Sequence, residues 1–217
     1  NGGLGLAMAL GLRDAGARVA VTGRDPGKNR QAQNALGQDG VVLQGDVTDE
    51  DDVAAMVEQA VLYDIDMVHF GDDWGSQRGL LMGPKLWERF LAPRLERMYG
   101  AGKRAGKFVS IHSCGMVQEV FPRLIELGLD CFNPFQPEVM HPYEMKRQFG
   151  ERLAFWGGVS TQRLLPYGTP DEVRAEVRRL IAEVGEGGGY ICAPAHSIPG
   201  DAKPENIMAM IEVLNEG

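Results

Sequence analysis

The sequence Lys107-Phe108-Val109-Ser110-Ile111-His112 is a short apolar run of strand-forming residues, and it predicts a β-strand. A helical pattern follows over Val117–Leu127 and ends at Gly128, a common helix stop. A second short strand, Cys131-Phe132-Asn133-Pro134, comes next. Strands joined by a helix in this way pair in parallel through a right-handed crossover. This unit therefore predicts a layered α/β fold.

The same alternation continues in both directions along the chain. Further strands are predicted at residues 18–23, 41–45, 66–70, 153–158 and 189–193. Helices are predicted at residues 4–15, 31–36, 85–99, 143–149 and 204–214, and after two capping residues, Thr48 and Thr169. The pattern fits either a doubly wound sheet or a barrel. Seven strands, with one more expected before Asn1, would make an eight-stranded TIM-barrel-like (β/α)8 fold; without it the barrel would be incomplete.

Composition excludes several classes of protein. The chain has 217 residues, 22 basic and 30 acidic side chains, and a formal net charge of −8. An acidic chain of this kind argues against nucleic acid as a partner and against a polybasic membrane-surface protein. It contains no apolar run long enough to span a bilayer. Three cysteines do not make a disulfide framework, which favours reduced thiols and a cytoplasmic location.

The N-terminal segment resembles the start of a short-chain dehydrogenase/reductase. The resemblance is carried by Gly3-Leu4-Gly5, by Val19-Ala20-Val21-Thr22-Gly23-Arg24 and by Asp46-Val47-Thr48-Asp49. It implies a Rossmann-like segment over residues 1–61. It also implies an NADP site, in which Gly3 and Gly5 approach the pyrophosphate, Arg24 contacts the 2′-phosphate and Asp46 lies near the adenine. The chain lacks the family's catalytic pattern at its usual place, so the resemblance predicts nucleotide binding without dehydrogenase chemistry.

The rest of the chain resembles a different family, uroporphyrinogen decarboxylase and the related zinc-dependent corrinoid methyltransferases. The resemblance is carried by five motifs, at residues 69–77, 112–115, 133–137, 155–158 and 187–196. It implies that residues 62–217 are the C-terminal part of a (β/α)8 barrel. The chain then looks like a chimera of two α/β pieces, which we expect to pack as one unit.

A candidate metal site lies at the ends of two predicted strands. Ser110, His112 and Cys114 share a strand face because they are two residues apart, and Cys192 lies near the end of the last strand. One imidazole and two thiolates would leave a fourth zinc position open, as in catalytic sites. In the methyltransferases that the chain resembles, such a set binds zinc, which activates a thiol to accept a methyl group from a corrinoid. The residues alone leave a second interpretation open, since Cys114 and Cys192 are also compatible with buried core thiols.

Two further residues are candidates for catalysis. His196 matches a histidine that decarboxylases carry after the last strand, and Asp73 shares a strand face with His69. Asp73 is compatible with three interpretations: a hydrogen-bond partner of a metal ligand, a fourth metal ligand, or a residue of a solvated turn.

Three functions remain in competition. They are a methyltransferase-like or lyase-like enzyme acting on a small molecule or a corrinoid protein, an NADP-binding module, and a folded chimera without activity. An unpaired sheet edge left by the missing first strand predicts a homo-oligomer.

Overall fold

The computed structural model describes residues 4–216, and these residues form two compact units. The first unit contains the described residues up to Asp66 together with Gly100–Lys107. The second contains Met67–Tyr99 and the described residues from Phe108 onward. The unit boundary at residues 66 and 67 lies close to the place where the two sequence resemblances meet.

The first unit has two parallel strands, β1 (Val19–Gly23) and β2 (Gly40–Gln44). Its helices are α1 (Leu4–Asp14), α2 (Pro26–Leu36) and α3 (Glu50–Ala60).

Two helix starts in this unit differ from the prediction. Helix α2 begins five residues before the predicted Gln31, because the Asp25 carboxylate accepts hydrogen bonds from the first-turn N–H groups. Helix α3 is capped by Asp49 rather than Thr48, so the predicted capping box is wrong. Thr48 bonds instead to Asp46.

The second unit is built on a five-stranded, fully parallel sheet in the order β3-β6-β7-β8-β9. Its strands are β3 (Met67–Gly71), β6 (Phe108–His112), β7 (Cys131–Phe135), β8 (Ala154–Val159) and β9 (Tyr190–Pro194). A short antiparallel hairpin of β4 (Gly75–Ser76) and β5 (Gly79–Leu80) follows β3. All seven predicted parallel strands are therefore present.

The remaining helices lie between and after these strands. They are α4 (Gly83–Phe90), α5 (Ala92–Arg104), α6 (Phe121–Glu126), α7 (Pro142–Phe149), α8 (Leu164–Tyr167), α9 (Pro170–Arg179) and α10 (Pro204–Leu214). The single helix predicted at residues 85–99 is two helices separated at Leu91. Pro93 explains the break, because it has no N–H to continue the hydrogen bonds of α4 and it is tolerated in the first turn of α5.

The sheet of the second unit has one face buried against helices. Ile111, Phe132, Phe155 and Tyr190 pair with one another across four strands, and all four belong to or pack against the hydrophobic core. The Phe121 ring of α6 lies 4.7 Å from that of Phe132, measured between centroids. Alternation along a strand turns the neighbouring residues, including His112, Asn133 and Trp156, to the opposite face.

These elements confirm the α/β class with a parallel sheet. Among the described strands no closed barrel forms, because β3 and β9 each pair on one side only and β1 and β2 make a sheet of their own. The described strands of the second unit thus form an open parallel sheet. No helix within residues 4–216 is both long and apolar enough to cross a membrane.

Candidate functional site

Three donor side chains meet at the carboxyl end of the sheet. His112 is the last residue of β6, and the Cys114 Sγ lies 3.4 Å from its Nε2. His196, two residues beyond β9, places its ring centroid 5.5 Å from that of His112. The ligand atoms of these three residues all lie within 4.8 Å of one another. We call this group the His-Cys-His cluster.

The His112 ring is held by a neighbouring strand. Its Nδ1 lies 2.6 Å from the Oδ1 of Asn133, the residue that pairs with it on β7. The amide nitrogen of Asn133 donates to the Trp156 carbonyl on β8 at 3.0 Å. The Asn133 oxygen that faces His112 can only accept a hydrogen bond.

The Cys114 loop is buttressed by the segment that follows β3. Asp73 Oδ1 accepts the Cys114 N–H at 2.8 Å, and the Met116 N–H donates to the Ser76 carbonyl at 2.8 Å. Gly115 has a φ of +90°, and a Cβ there would lie 2.5 Å from the carbonyl carbon of Gly75. Only glycine combines this backbone angle with so close an approach.

Burial and nearby charge shift the pKa values of Cys114 and of His69. Burial, with the nearby Asp73 carboxylate adding to it, raises the pKa of the Cys114 thiol to about 11. The group is therefore a thiol at neutral pH when no cation is nearby. Below the cluster, the His69 Nδ1 lies 2.8 Å from the Ser110 hydroxyl. Burial, and then the charge of His112, lower the pKa of His69.

The donor set fits zinc. Tetrahedral zinc with bonds of about 2.3 Å to sulfur and about 2.0 Å to nitrogen places its ligand atoms about 3.5 Å apart. The 3.4 Å separation of Sγ and Nε2 matches that spacing. Three protein donors leave one position for a substrate or water, which is typical of catalytic zinc. Asp73 lies 3.9 Å from the His112 Nε2, but it is outside the cluster and already binds the Cys114 N–H.

Cys192, the third ligand in the sequence prediction, is not brought to this cluster. Cys192 lies on β9, where it pairs with Gly157 of β8, and it packs against the hydrophobic core on the face of the sheet opposite His112. Burial raises the pKa of its thiol. His196, predicted as a catalytic residue, takes the third place in the cluster instead.

Sequence reasoning did not anticipate Asn133 or the exchange of Cys192 for His196. The exchange follows from the register of β9 against β8. Ile191 pairs with Trp156 on the side of the sheet that carries His112, and Cys192, the next residue, therefore faces the other side.

The predicted nucleotide residues belong to the first unit. Gly3 lies outside the described residues, and Gly5 lies in the first turn of α1. Arg24 and Asp46 are brought together in an exposed ion pair of 3.5 Å. The N–H and hydroxyl of Thr48, which donate to the Asp46 carboxylate, lower its pKa.

Comparison with known families divides the chain in the same way. Residues 50–217 match the family model described as uroporphyrinogen decarboxylase (URO-D). Residues 1–69 match a short-chain reductase model described as enoyl-(acyl carrier protein) reductase. The chain thus joins segments that resemble two families, as the sequence predicted.

The curated relatives match over a short stretch. The uroporphyrinogen decarboxylase of Methylococcus capsulatus is 34% identical over 71 residues, which cover 33% of this chain and 20% of that protein. One from Neisseria meningitidis is 33% identical over 73 residues, which cover 34% and 20%. The match therefore spans about a fifth of the length of these relatives.

Solved structures share the fold. A methyltransferase from Methanosarcina mazei aligns with a TM-score of 0.59 at 21% identity, covering 88% of this chain and 51% of that one. A xylose isomerase-like TIM barrel protein from Mycobacterium smegmatis aligns with a TM-score of 0.51 at 13% identity, covering 97% and 87%. At these identities the likeness concerns the barrel-like fold alone.

Proposed function

The chain belongs to the uroporphyrinogen decarboxylase family, and from this premise we propose that it is a zinc-dependent methyltransferase of that family, which passes a methyl group from a corrinoid to a thiol. The observation that carries the proposal is the His-Cys-His cluster, whose three donor atoms lie within 4.8 Å of one another. In this proposal His112, Cys114 and His196 hold the zinc.

The chemistry follows from the donors. Bound zinc would lower the pKa of an acceptor thiol, so that the thiolate is available as the nucleophile at neutral pH. Cys114 would hold the cation as a thiolate, with its proton released to solvent. Asn133 contacts the other ring nitrogen of His112, and the Asp73 carboxylate accepts the Cys114 N–H without entering the cluster.

Methyl transfer is favoured over decarboxylation by the contacts of the cluster. A substrate with several carboxylates requires cationic side chains for binding. The side chains that contact His112 and the Cys114 backbone are the Asn133 amide and the Asp73 carboxylate, and neither carries a positive charge.

Metal analysis of purified variants tests the zinc site. We expect about one zinc per chain after loading, and at least a tenfold loss of affinity in Cys114→Ser, His112→Gln and His196→Gln, because each loses a donor. Cys192→Ala is the matched control, and it should bind zinc as the unchanged chain does. A chain that binds no zinc, or that loses zinc in Cys192→Ala but not in His196→Gln, would contradict the proposed ligands.

An activity assay tests the reaction itself. The zinc-loaded chain is mixed with methylcobalamin and homocysteine, and demethylation of the corrinoid is followed by its absorbance. We expect zinc-dependent turnover that is lost in Cys114→Ser. Equal rates in the loaded and the metal-free protein would refute the mechanism.

We also propose that the first unit binds NADP, on the strength of the short-chain reductase match over residues 1–69. Arg24, whose side chain is 76% exposed, is the group that would meet the 2′-phosphate. Titration with NADPH, followed by cofactor fluorescence, tests this. Binding that weakens in Arg24→Ala supports the site, and an unchanged signal throughout the titration rules it out.

A further inference from the structure

A chain of hydrogen bonds reaches the His-Cys-His cluster from the interior of the sheet. It starts at the Trp156 carbonyl on β8, passes through the side-chain amide of Asn133 on β7, and ends at the His112 Nδ1 on β6. The two links measure 3.0 and 2.6 Å. Three adjacent strands therefore fix the orientation of one imidazole ring.

The direction of these hydrogen bonds is determined at the Trp156 carbonyl. A backbone carbonyl only accepts, so the amide group facing Trp156 must be the NH2 of Asn133. The carbonyl oxygen of the same amide then faces His112 and requires a proton on Nδ1. A histidine is thus held as the tautomer that its partner selects.

The selected tautomer is the one that can bind a cation beside Cys114. With Nδ1 protonated, the neutral ring offers the Nε2 lone pair, and this atom lies 3.4 Å from the Cys114 Sγ. In the opposite tautomer a proton would occupy that position and would have to leave before a metal could bind.

We infer that Asn133 is a positioning residue, which holds His112 in the metal-binding tautomer before any metal arrives. The inference rests on the proposed zinc site for its functional meaning. When zinc binds, the bond that breaks is then the S–H of Cys114, whose proton passes to solvent, while the His112 ring keeps its proton on Nδ1.

Two variants separate the acceptor from the bulk of the side chain. Asn133→Leu removes the acceptor, whereas Asn133→Asp keeps an oxygen at the same place. Ser110→Ala is the matched control, because it deletes the bond to His69, a histidine outside the cluster, on the same face of the sheet.

The first readout is the tautomer of His112 in the metal-free protein, measured by nitrogen-15 NMR of the ring. We expect a proton on Nδ1 in the unchanged chain, in Asn133→Asp and in Ser110→Ala, and a loss of that preference in Asn133→Leu. This readout does not depend on metal. A proton on Nε2 in the unchanged chain would overturn the inference even if Asn133→Leu fails to fold.

The second readout is zinc affinity, measured by competition with a chromophoric chelator. We expect a decrease of about 10- to 100-fold in Asn133→Leu, as is typical when the partner of a ligating histidine is removed. Asn133→Asp and Ser110→Ala should stay within about threefold of the unchanged chain, well inside that range. Affinity unchanged in Asn133→Leu would refute the positioning role. Absence of zinc binding in the unchanged chain would refute the proposed function and, with it, the role of Asn133 toward a metal.

Discussion

Replacing Gly115 with alanine should destabilise the second unit and disturb the cluster beside it. The φ of +90° costs a residue with a Cβ about 1–2 kcal/mol. The new Cβ would also lie 2.5 Å from the Gly75 carbonyl carbon and 2.7 Å from two backbone atoms of Ser76. To reach an ordinary contact of about 3.4 Å, the hairpin of β4 and β5 must move by about 0.9 Å, and crowding of this kind typically costs about 1–3 kcal/mol. We therefore expect a total loss of about 2–5 kcal/mol.

Gly188→Ala separates the two contributions. Gly188 has a φ of +87°, and a Cβ there would meet nothing within 4 Å. The substitution Gly188→Ala should therefore lower the free energy of unfolding only by the backbone strain, about 1–2 kcal/mol. Urea unfolding followed by tryptophan fluorescence is the assay, because Trp74, Trp87 and Trp156 all lie in the second unit. If Gly115→Ala is no more destabilising than Gly188→Ala, the close approach of the hairpin to the Cys114 loop is not a packing constraint.

Two further substitutions and one alkylation experiment test other parts of the structure. Thr169→Ala removes the capping box of α9 and should lower the free energy of unfolding by about 1 kcal/mol in urea titrations; no change would show that the cap is dispensable. Phe155→Ala leaves a cavity beside Phe135, whose ring centroid is 4.3 Å away, and should cost about 3–5 kcal/mol in the same assay; a loss below about 1 kcal/mol would contradict the packing described. Because the pKa of Cys114 is raised to about 11, its alkylation by iodoacetamide should still accelerate about tenfold per pH unit between pH 8 and pH 10, whereas an ordinary thiol of pKa about 8.5 levels off. Peptide mass spectrometry measures this rate, and a plateau by pH 9 would show that the pKa of the Cys114 thiol is not raised.

The regular elements were predictable because their signals are local. The β6 strand and the α10 helix follow from apolar runs and their end residues, and the capping box at Thr169 is complete within four residues. The start of α3 was misplaced, since Thr48 and Asp49 are both good caps and only the contact of Thr48 with Asp46 decides between them.

The site was predictable only where strand alternation governs it. His112 and Cys114 are two residues apart, so their proximity followed from the sequence. The face on which Cys192 lies depends on the register of β9 against β8, which the sequence does not show. His196 lies in a loop beyond β9, where no periodic rule applies, and the contact of Asn133 with His112 requires the pairing of β6 with β7.

The cluster draws its donors from distant parts of the chain. His112 ends strand β6 and Cys114 follows two residues later, whereas His196 comes after β9, the last strand. A cation held by all three would join residues about 80 positions apart. Because only the folded unit brings the three donors together, the ion would bind the folded state and not the unfolded chain. Metal occupancy and the folding of this unit would then rise and fall together, and at 100 times the dissociation constant the ion would add about 2.7 kcal/mol to its stability.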